Sequence, residues 1–181
     1  VSGPHMVRQF TGVPIDKMEL GGAGAHSRNT GVASAVVADA EAAMEWVTNL
    51  FDYLPGHNDE LSPRLSSDDP VDRPTPEAGE IIPATPTGSY DIRTVIRSIA
   101  DDGELFELRA AWAANLVTAF ASIAGRPVGF VANQPCALAG TLDIPASQKG
   151  ARFVAFCDAF NIPLITLVDT PGFYPGKDLE W

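Results

Sequence analysis

One loop in this sequence has the composition of a site that stabilises negative charge. Residues 133–143 follow an apolar run and precede a pattern typical of an amphipathic helix, which is where α/β units carry ligand sites. A glycine at position 140 lets neighbouring backbone N–H groups face a ligand without a bulky side chain in the way. Such groups can hold a developing oxyanion, although the same composition also suits a plain turn between a strand and a helix.

A second candidate is Asp169, which ends the apolar run 164–168 and is followed by Pro171 and Gly172. GTPases hold Mg²⁺ with an Asp-x-x-Gly turn at a strand end, but they also need a GxxxxGK[ST] phosphate loop, which this sequence lacks. We therefore interpret Asp169 as a residue that caps a turn. A GTPase-like switch stays as an alternative, and it predicts nucleotide binding.

The remaining residues with catalytic chemistry show no useful spacing. His5, His26 and His57 lie far apart, and Cys136 and Cys157 form no CxxC pair. The sequence has no GxSxG or HExxH motif. We expect no metal site, and we interpret both cysteines as inert small residues.

Composition narrows the possible partners. The 181 residues carry a net charge of −11, which argues against a nucleic-acid partner, because phosphate backbones are held by clustered Lys and Arg. No basic amphipathic stretch or membrane-length apolar run is present, so we expect no membrane partner. Sparse cysteine usage favours a reduced, cytoplasmic location. Val1 and Trp181 give both ends the look of a cut chain.

The positioning elements fall into three zones. In the first, residues 1–55, helical spacing predicts a helix from about 39 to 54 that begins at an Asp39 N-cap and ends before Pro55-Gly56. The second, residues 56–89, is rich in Pro, Asp and Ser and is predicted to be an exposed connector.

The third zone, residues 90–181, alternates helices and strands. A helix is predicted at 92–100, and strands at 114–123 and 127–132 form a hairpin, although helical periodicity over 107–120 competes with the first strand. A helix at 147–160 should place Phe153, Val154, Cys157 and Phe160 in the core, and a second buried strand follows at 164–168. Strand, helix and strand in this order predict a βαβ unit in a parallel sheet.

Taken in order, the motifs resemble the carboxyltransferase (beta) subunits of biotin-dependent acyl-CoA carboxylases, the beta chains of propionyl-CoA and acetyl-CoA carboxylases. The similarity is carried by residues 128–135, 139–144, 149–153, 157–163 and 168–173. It continues upstream at residues 3–4, 11–12, 20–23, 26, 31–33, 53–55, 90–91 and 101–104. It therefore spans almost the whole chain outside the connector.

The resemblance implies an α/β, crotonase-like βαβ superhelix, of which this chain holds the end of one half and the start of the next. It implies transfer of a carboxyl group from carboxybiotin, on a separate biotin carboxylase/carrier alpha subunit, to the alpha carbon of an acyl-CoA. Gly140 and Thr141 match a backbone oxyanion hole that serves biotin. Asp143, with Ala139 and Leu142 beside it, matches the acyl-CoA side and favours a short acyl chain. A homo-oligomer, the family's hexamer, is also implied.

Two departures from the family pattern bear on whether this segment holds a complete active site. Thr141 stands where the family commonly has Ala or Cys, so the loop keeps the N–H but gains a β-branched side chain. The family's Ser-Gly-Gly-Ala-Arg motif, the oxyanion hole of the first half, is absent from these residues. We therefore expect no complete site in this segment alone, and a non-catalytic binding or assembly fragment remains the alternative function.

Overall fold

The computed structural model describes residues 2–85 and 87–177. Within that part of the chain, four strands form one sheet in the order β1-β2-β3-β4: β1 (Phe106–Glu107), β2 (Leu116–Ile123), β3 (Arg126–Asn133) and β4 (Leu164–Leu167). The helices are α1 (Pro4–Thr11), α2 (Lys17–Gly21), α3 (Ala23–Ala25), α4 (Ala40–Phe51), α5 (Pro76–Ile81), α6 (Ile92–Ile99) and α7 (Ile144–Ala159). A π-helical turn, His26–Thr30, follows α3.

The predicted hairpin is confirmed, and the competing helix over 107–120 is wrong. Strands β2 and β3 pair antiparallel from Leu116 opposite Asn133 to Ile123 opposite Arg126. The two residues between them, Ala124 and Gly125, both have positive φ, which is the geometry that tight hairpin turns require.

The predicted parallel βαβ unit is also confirmed. Strand β3 pairs parallel with β4, and α7 forms the connection between them. Helix α7 begins three residues earlier than predicted, because the Asp143 side chain accepts the Ala146 N–H and caps it, and Pro145 lies in its first turn. The carboxyl ends of β3 and β4 therefore lie side by side, with the loop 134–143 leaving from the first of them.

The sheet is packed on both faces. Alternate residues of β2, among them Val117 and Ala119, point into a core formed with α6 and β3. On the other face, Phe120 packs with Phe153 and Cys157 of α7 and with Tyr53 just after α4. The predicted N-cap of α4 is confirmed, because Asp39 accepts the Ala42 N–H at 2.9 Å.

Two expectations about burial are wrong. Val154 is 41% exposed instead of facing the core, since α7 buries only the stripe that contains Phe153 and Cys157. Strand β4 is half-buried, with Leu164 38% exposed, because Ile165 and Leu167 turn to the core and the alternate residues face away.

The connector 56–89 is more ordered than its composition predicts. It contains α5, whose Ala78 and Ile81 pack against the core that α6 shares with the sheet. Arg73 forms an ion pair with Asp69 and donates to the Ser98 carbonyl at 3.0 Å. The connector is therefore held against the sheet domain by a few contacts, while most of its described residues are exposed, as predicted.

Candidate functional site

The loop singled out by sequence lies at the carboxyl end of β3. Its centre is a left-handed turn in which Leu138, Ala139 and Gly140 have φ values of 48°, 51° and 71°. For a residue with a side chain this conformation costs about 1–2 kcal/mol, so the turn holds strain at two successive positions. Surrounding contacts must therefore specify it.

Glycine at 140 has a packing requirement of its own. A Cβ at this position would lie 2.4 Å from the Asp169 carbonyl oxygen and 3.2 Å from the Cβ of Asn133. The loop thus passes between the ends of β3 and β4 so closely that only a glycine fits, and the positive φ adds to this requirement.

The two N–H groups predicted to form an oxyanion hole each have a partner inside the loop. The Gly140 N–H donates to the Ala137 carbonyl at 2.9 Å, and the Thr141 N–H donates to the Leu138 carbonyl at 3.0 Å. These are 3₁₀-type bonds, whose geometry is poorer than that of α-helical bonds, and three-centre sharing is common in such turns. A ligand oxygen here would share or replace the loop carbonyls as acceptor.

The Asp143 carboxylate is part of the hydrogen-bond network that holds the loop. Its Oδ1 accepts the Ala146 N–H at 2.9 Å and the Asn115 side-chain amide at 3.1 Å. Asn115 also donates to the Thr141 carbonyl at 2.7 Å. The residue predicted to select the acyl chain is therefore the N-cap of α7 as well, and its carboxylate is held in one orientation.

Asn133, the last residue of β3, links the loop to the end of β4. Its Nδ2 donates to the Gly140 carbonyl at 2.9 Å, and its Oδ1 accepts the Asp169 N–H at 3.3 Å. The Asp169 carboxylate accepts the Tyr90 hydroxyl at 2.8 Å. Burial and this neighbouring carboxylate raise the pKa of Tyr90 to about 12.

The prediction that Asp169 caps the turn is wrong, because its carboxylate accepts from Tyr90 instead. Thr170 completes that turn by exchanging hydrogen bonds with Gly172. Among residues 2–85 and 87–177, no group of three or more His, Cys, Asp or Glu residues could hold a metal ion.

Lys149 is a buried residue that sequence reasoning missed. It is 1% exposed, and its Nζ donates to the Trp112 carbonyl at 2.9 Å and the Ala113 carbonyl at 3.4 Å. Burial lowers the pKa of this ammonium to about 8. Lys149 thus fastens α7 to the segment that ends in Asn115, which in turn holds the site loop.

Two cavities flank the loop. One of about 340 Å³ is lined by Trp112, Asn115, Ala137, Leu138 and Asp143 among others. The second, of about 240 Å³, is lined by Leu142, Asp143, Ile144, Ser147, Gln148, Phe173 and Tyr174. The larger one is within the range of about 300–1,000 Å³ that is usual for small-molecule sites. The loop, which includes Ala139 and Leu142, thus has open space on two sides.

The cysteines and histidines lie away from this loop, apart from Cys136 within it. Cys157 is buried in the core, and burial raises the pKa of its thiol to about 12, which makes it a poor nucleophile. Cys136 is exposed. His57 pairs with Glu60 in the connector, and His26 contacts Thr30 within the π-helical turn.

Comparison with known proteins assigns the chain to a family. The carboxyl transferase domain family matches residues 1–181. This chain belongs to that family. It is 45% identical, over its full length, to the propionyl-CoA carboxylase beta chain of Roseobacter denitrificans. It is 44% identical to the methylmalonyl-CoA carboxyltransferase 12S subunit of Propionibacterium freudenreichii, also over its full length.

Solved structures of this carboxyl transferase family share the fold. Transcarboxylase 12S, described as a hexamer with hydrolysed methylmalonyl-CoA bound, superposes on 99% of this chain with a TM-score of 0.94 and 44% identity, covering 36% of that chain. A single-chain, multi-domain long-chain acyl-CoA carboxylase gives a TM-score of 0.76 and 30% identity over 99% of this chain and 17% of its own. The predicted crotonase-like α/β fold and the predicted family are both confirmed.

The carboxyl transferase chain spans about a third of the length of the curated relatives it matches, 36% of the first and 34% of the second. No helix in the described ranges is long and apolar enough to cross a membrane.

Proposed function

We propose that this chain is a segment of the carboxyltransferase subunit of a biotin-dependent acyl-CoA carboxylase. In this proposal a carboxyl group moves from carboxybiotin to the alpha carbon of propionyl-CoA, with acetyl-CoA as the next candidate acceptor. The observation that carries the proposal is the match of the entire chain, at 45% identity, to the propionyl-CoA carboxylase beta chain of Roseobacter denitrificans. The subunit's first-half oxyanion hole lies outside these residues, so the complete reaction belongs to the full-length, assembled enzyme.

The proposed work of this segment is electrostatic. Carboxybiotin, on its separate carrier, would supply the carboxyl group when bound beside the loop. The N–H groups of Gly140 and Thr141 would then donate to the oxygen on which negative charge develops, next to the cavity of about 340 Å³. Because each N–H already donates to a loop carbonyl, the ligand oxygen would share that N–H with the carbonyl or replace the carbonyl as its acceptor.

The acyl end of the substrate is proposed to lie on the Asp143 side of the loop. Asp143 borders both cavities, and the smaller one is walled by the apolar side chains of Leu142 and Phe173. Its volume of about 240 Å³ suits a short acyl chain. Ala139 stands at the exposed tip of the turn, where a bulky side chain would obstruct a ligand.

Assembly follows from the same relatives. We propose that the full protein forms a homo-oligomer, as transcarboxylase 12S does in its hexamer, and works in the cytoplasm with a biotinylated alpha subunit. In this proposal residues 1–55 form the end of the first crotonase-like half. Residues 56–89 connect the two halves, and residues 90–181 form the start of the second half.

Thr141 allows a sharp test, because its φ of −61° is one that proline adopts. Thr141→Pro removes the N–H with the backbone φ preserved, and Thr141→Ala keeps the N–H as a matched control. Both variants are made in the full-length subunit and assayed with the biotinylated partner, ATP, bicarbonate and each acyl-CoA. We expect Thr141→Pro to lower kcat by roughly 100-fold or more, the usual loss for one oxyanion donor. Thr141→Ala should stay within about threefold of the unmodified enzyme, as expected for a side chain that does not touch the reacting atoms.

Three results would decide between the readings. The proposal is supported if the unmodified enzyme and Thr141→Ala carboxylate propionyl-CoA and Thr141→Pro does not. A folded, assembled enzyme that carboxylates neither acyl-CoA would favour the non-catalytic assembly module. Equal activity of the proline and alanine variants would remove the Thr141 N–H from the mechanism.

A further inference from the structure

Two buried asparagine side chains hold consecutive carbonyl groups of the site loop. The Asn133 amide donates to the Gly140 carbonyl at 2.9 Å, and the Asn115 amide donates to the Thr141 carbonyl at 2.7 Å. Asn133 is 5% exposed and Asn115 is 3% exposed, so water does not compete for either amide. These bonds act on the backbone of the turn, where the proposed chemistry takes place.

A bond to the Gly140 carbonyl fixes more than the carbonyl. The Gly140 C=O and the Thr141 N–H belong to the same planar peptide unit and point in opposite directions. The Asn133 amide, together with the Leu138 carbonyl that accepts the Thr141 N–H at 3.0 Å, therefore sets the direction of that N–H. Rotation of this peptide unit would leave the buried Asn133 amide without an acceptor, which is strongly unfavourable.

Asn133 itself has only one way to lie. Its Oδ1 faces the Asp169 N–H, which needs an acceptor, and its Nδ2 faces the Gly140 carbonyl, which needs a donor. Exchanging the two ends would set donor against donor and acceptor against acceptor. The side chain is thus held by the end of β4 on one side, and it transmits that fixed position to the loop on the other.

The left-handed turn makes such control necessary. Leu138 and Ala139 adopt positive φ, which their side chains disfavour, so the local sequence alone does not select this path of the backbone. Tertiary contacts must select it, and the Asn133 bond acts at the peptide unit between Gly140 and Thr141, at the end of the turn.

We infer that Asn133 is a positioning residue for carboxyl transfer, which orients the Thr141 N–H towards the reacting oxygen. This inference rests on the proposed function. Because Asn133 is buried, its effect in this inference passes through the Thr141 peptide.

The test uses Asn133→Asp in the full-length enzyme. This change keeps the Oδ1 acceptor and the shape of the side chain but removes the donor to the Gly140 carbonyl. Asn161→Asp is the matched control, because the Asn161 amide donates to the Asn58 carbonyl at 2.6 Å, away from the loop. We expect Asn133→Asp to lower kcat by at least about tenfold with the KM for acyl-CoA within about twofold, since only a donor used in the transition state is misdirected. The control should leave both constants within about twofold.

A double-mutant cycle separates positioning from general damage. If Asn133 acts through the Thr141 N–H, adding Asn133→Asp to Thr141→Pro should lower kcat by no more than about twofold further. Asn133→Ala, which avoids a buried charge, is measured in parallel in case the acidic variant does not fold. Amide hydrogen exchange of the peptide around Thr141 gives a readout without turnover, and we expect faster exchange in both Asn133 variants.

The outcomes are distinct. An inactive unmodified enzyme would overturn the proposed function, and hydrogen exchange would still test the orientation by Asn133. An active enzyme whose Asn133 variants keep kcat within about twofold, or lose affinity for acyl-CoA alone, would overturn the inference and leave the function standing. Multiplicative losses in the double variant would also overturn it, because Asn133 would then act independently of Thr141.

Discussion

Burial of Lys149 makes the free energy of unfolding rise with pH, which is the opposite of the effect of the buried Cys157 thiol. The Lys149 ammonium is 1% exposed and is held by two carbonyl groups, of Trp112 and Ala113, rather than by a carboxylate. Burial is the largest cause that lowers its pKa from 10.5 to about 8, with the positive charge of Arg93 acting in the same direction and Glu107 opposing it.

The sign of the effect follows from proton binding. Below pH 8 both the folded and the unfolded chain carry a proton on Lys149, so this residue adds no pH dependence. Between pH 8 and 10.5 the unfolded chain binds the proton and the folded chain does not, so the free energy of unfolding rises with pH. With each pKa unit worth about 1.4 kcal/mol, the rise is about 1 kcal/mol from pH 7 to 9 and about 3 kcal/mol in full.

The perturbation is Lys149→Met, which keeps an unbranched side chain, shorter by one atom, and removes the titrating group. Urea unfolding of the 181-residue chain, followed by tryptophan fluorescence, gives the free energy of unfolding for both proteins at pH 7, 8 and 9. We expect the free energy of unfolding of the lysine protein, taken relative to that of the methionine variant, to be about 1 kcal/mol higher at pH 9 than at pH 7.

The buried thiol of Cys157 limits the useful pH range. Its folded pKa is raised from 9.0 to about 12, so its contribution to stability is present below pH 9 and is lost as the pH rises towards 12. This contribution is the same in both proteins and cancels in their difference. A difference between the two proteins that does not change from pH 7 to 9 would refute the stated environment of Lys149.

Two glycines give further predictions. Gly140→Ala should destabilise the chain by about 2–5 kcal/mol and abolish carboxyl transfer, because its Cβ would lie 2.4 Å from the Asp169 carbonyl oxygen at a φ of +71°; an unchanged melting temperature would contradict the close approach. Gly31→Ala should lower stability by a similar amount of about 2–5 kcal/mol, since its Cβ would lie 2.1 Å from the Trp112 ring. Gly79→Ala, in α5 with no atom within 4 Å of the new Cβ, is the control and should raise stability by up to about 1 kcal/mol in thermal unfolding.

Most helices, strands and turns were predictable because residue types close together in the sequence determine them. The hairpin turn, the cap at Asp39 and the order of strand, helix and strand all follow from residue types over short distances. The fold family followed from ordered motifs spread along the chain. Val154 escaped prediction because the width of the buried stripe on α7 depends on which elements pack against it.

The details of the site depend on contacts between distant parts of the chain. Asn133 and Asn115 hold the loop from β3 and from the segment before β2, and no spacing rule pairs them with Gly140 or Thr141. A polar residue at the end of a buried strand was the available signal for Asn133. The burial of Lys149 had no such signal, because a lone lysine in a helix pattern is usually exposed.

A structure of the full-length subunit with biotin bound would test the assigned role of the loop. We predict that the ureido oxygen of biotin lies within about 3.2 Å of the Thr141 nitrogen, the distance of an N–H···O hydrogen bond. Biotin bound with its ureido oxygen against other groups, and with no contact to residues 138–143, would contradict the proposed oxyanion site.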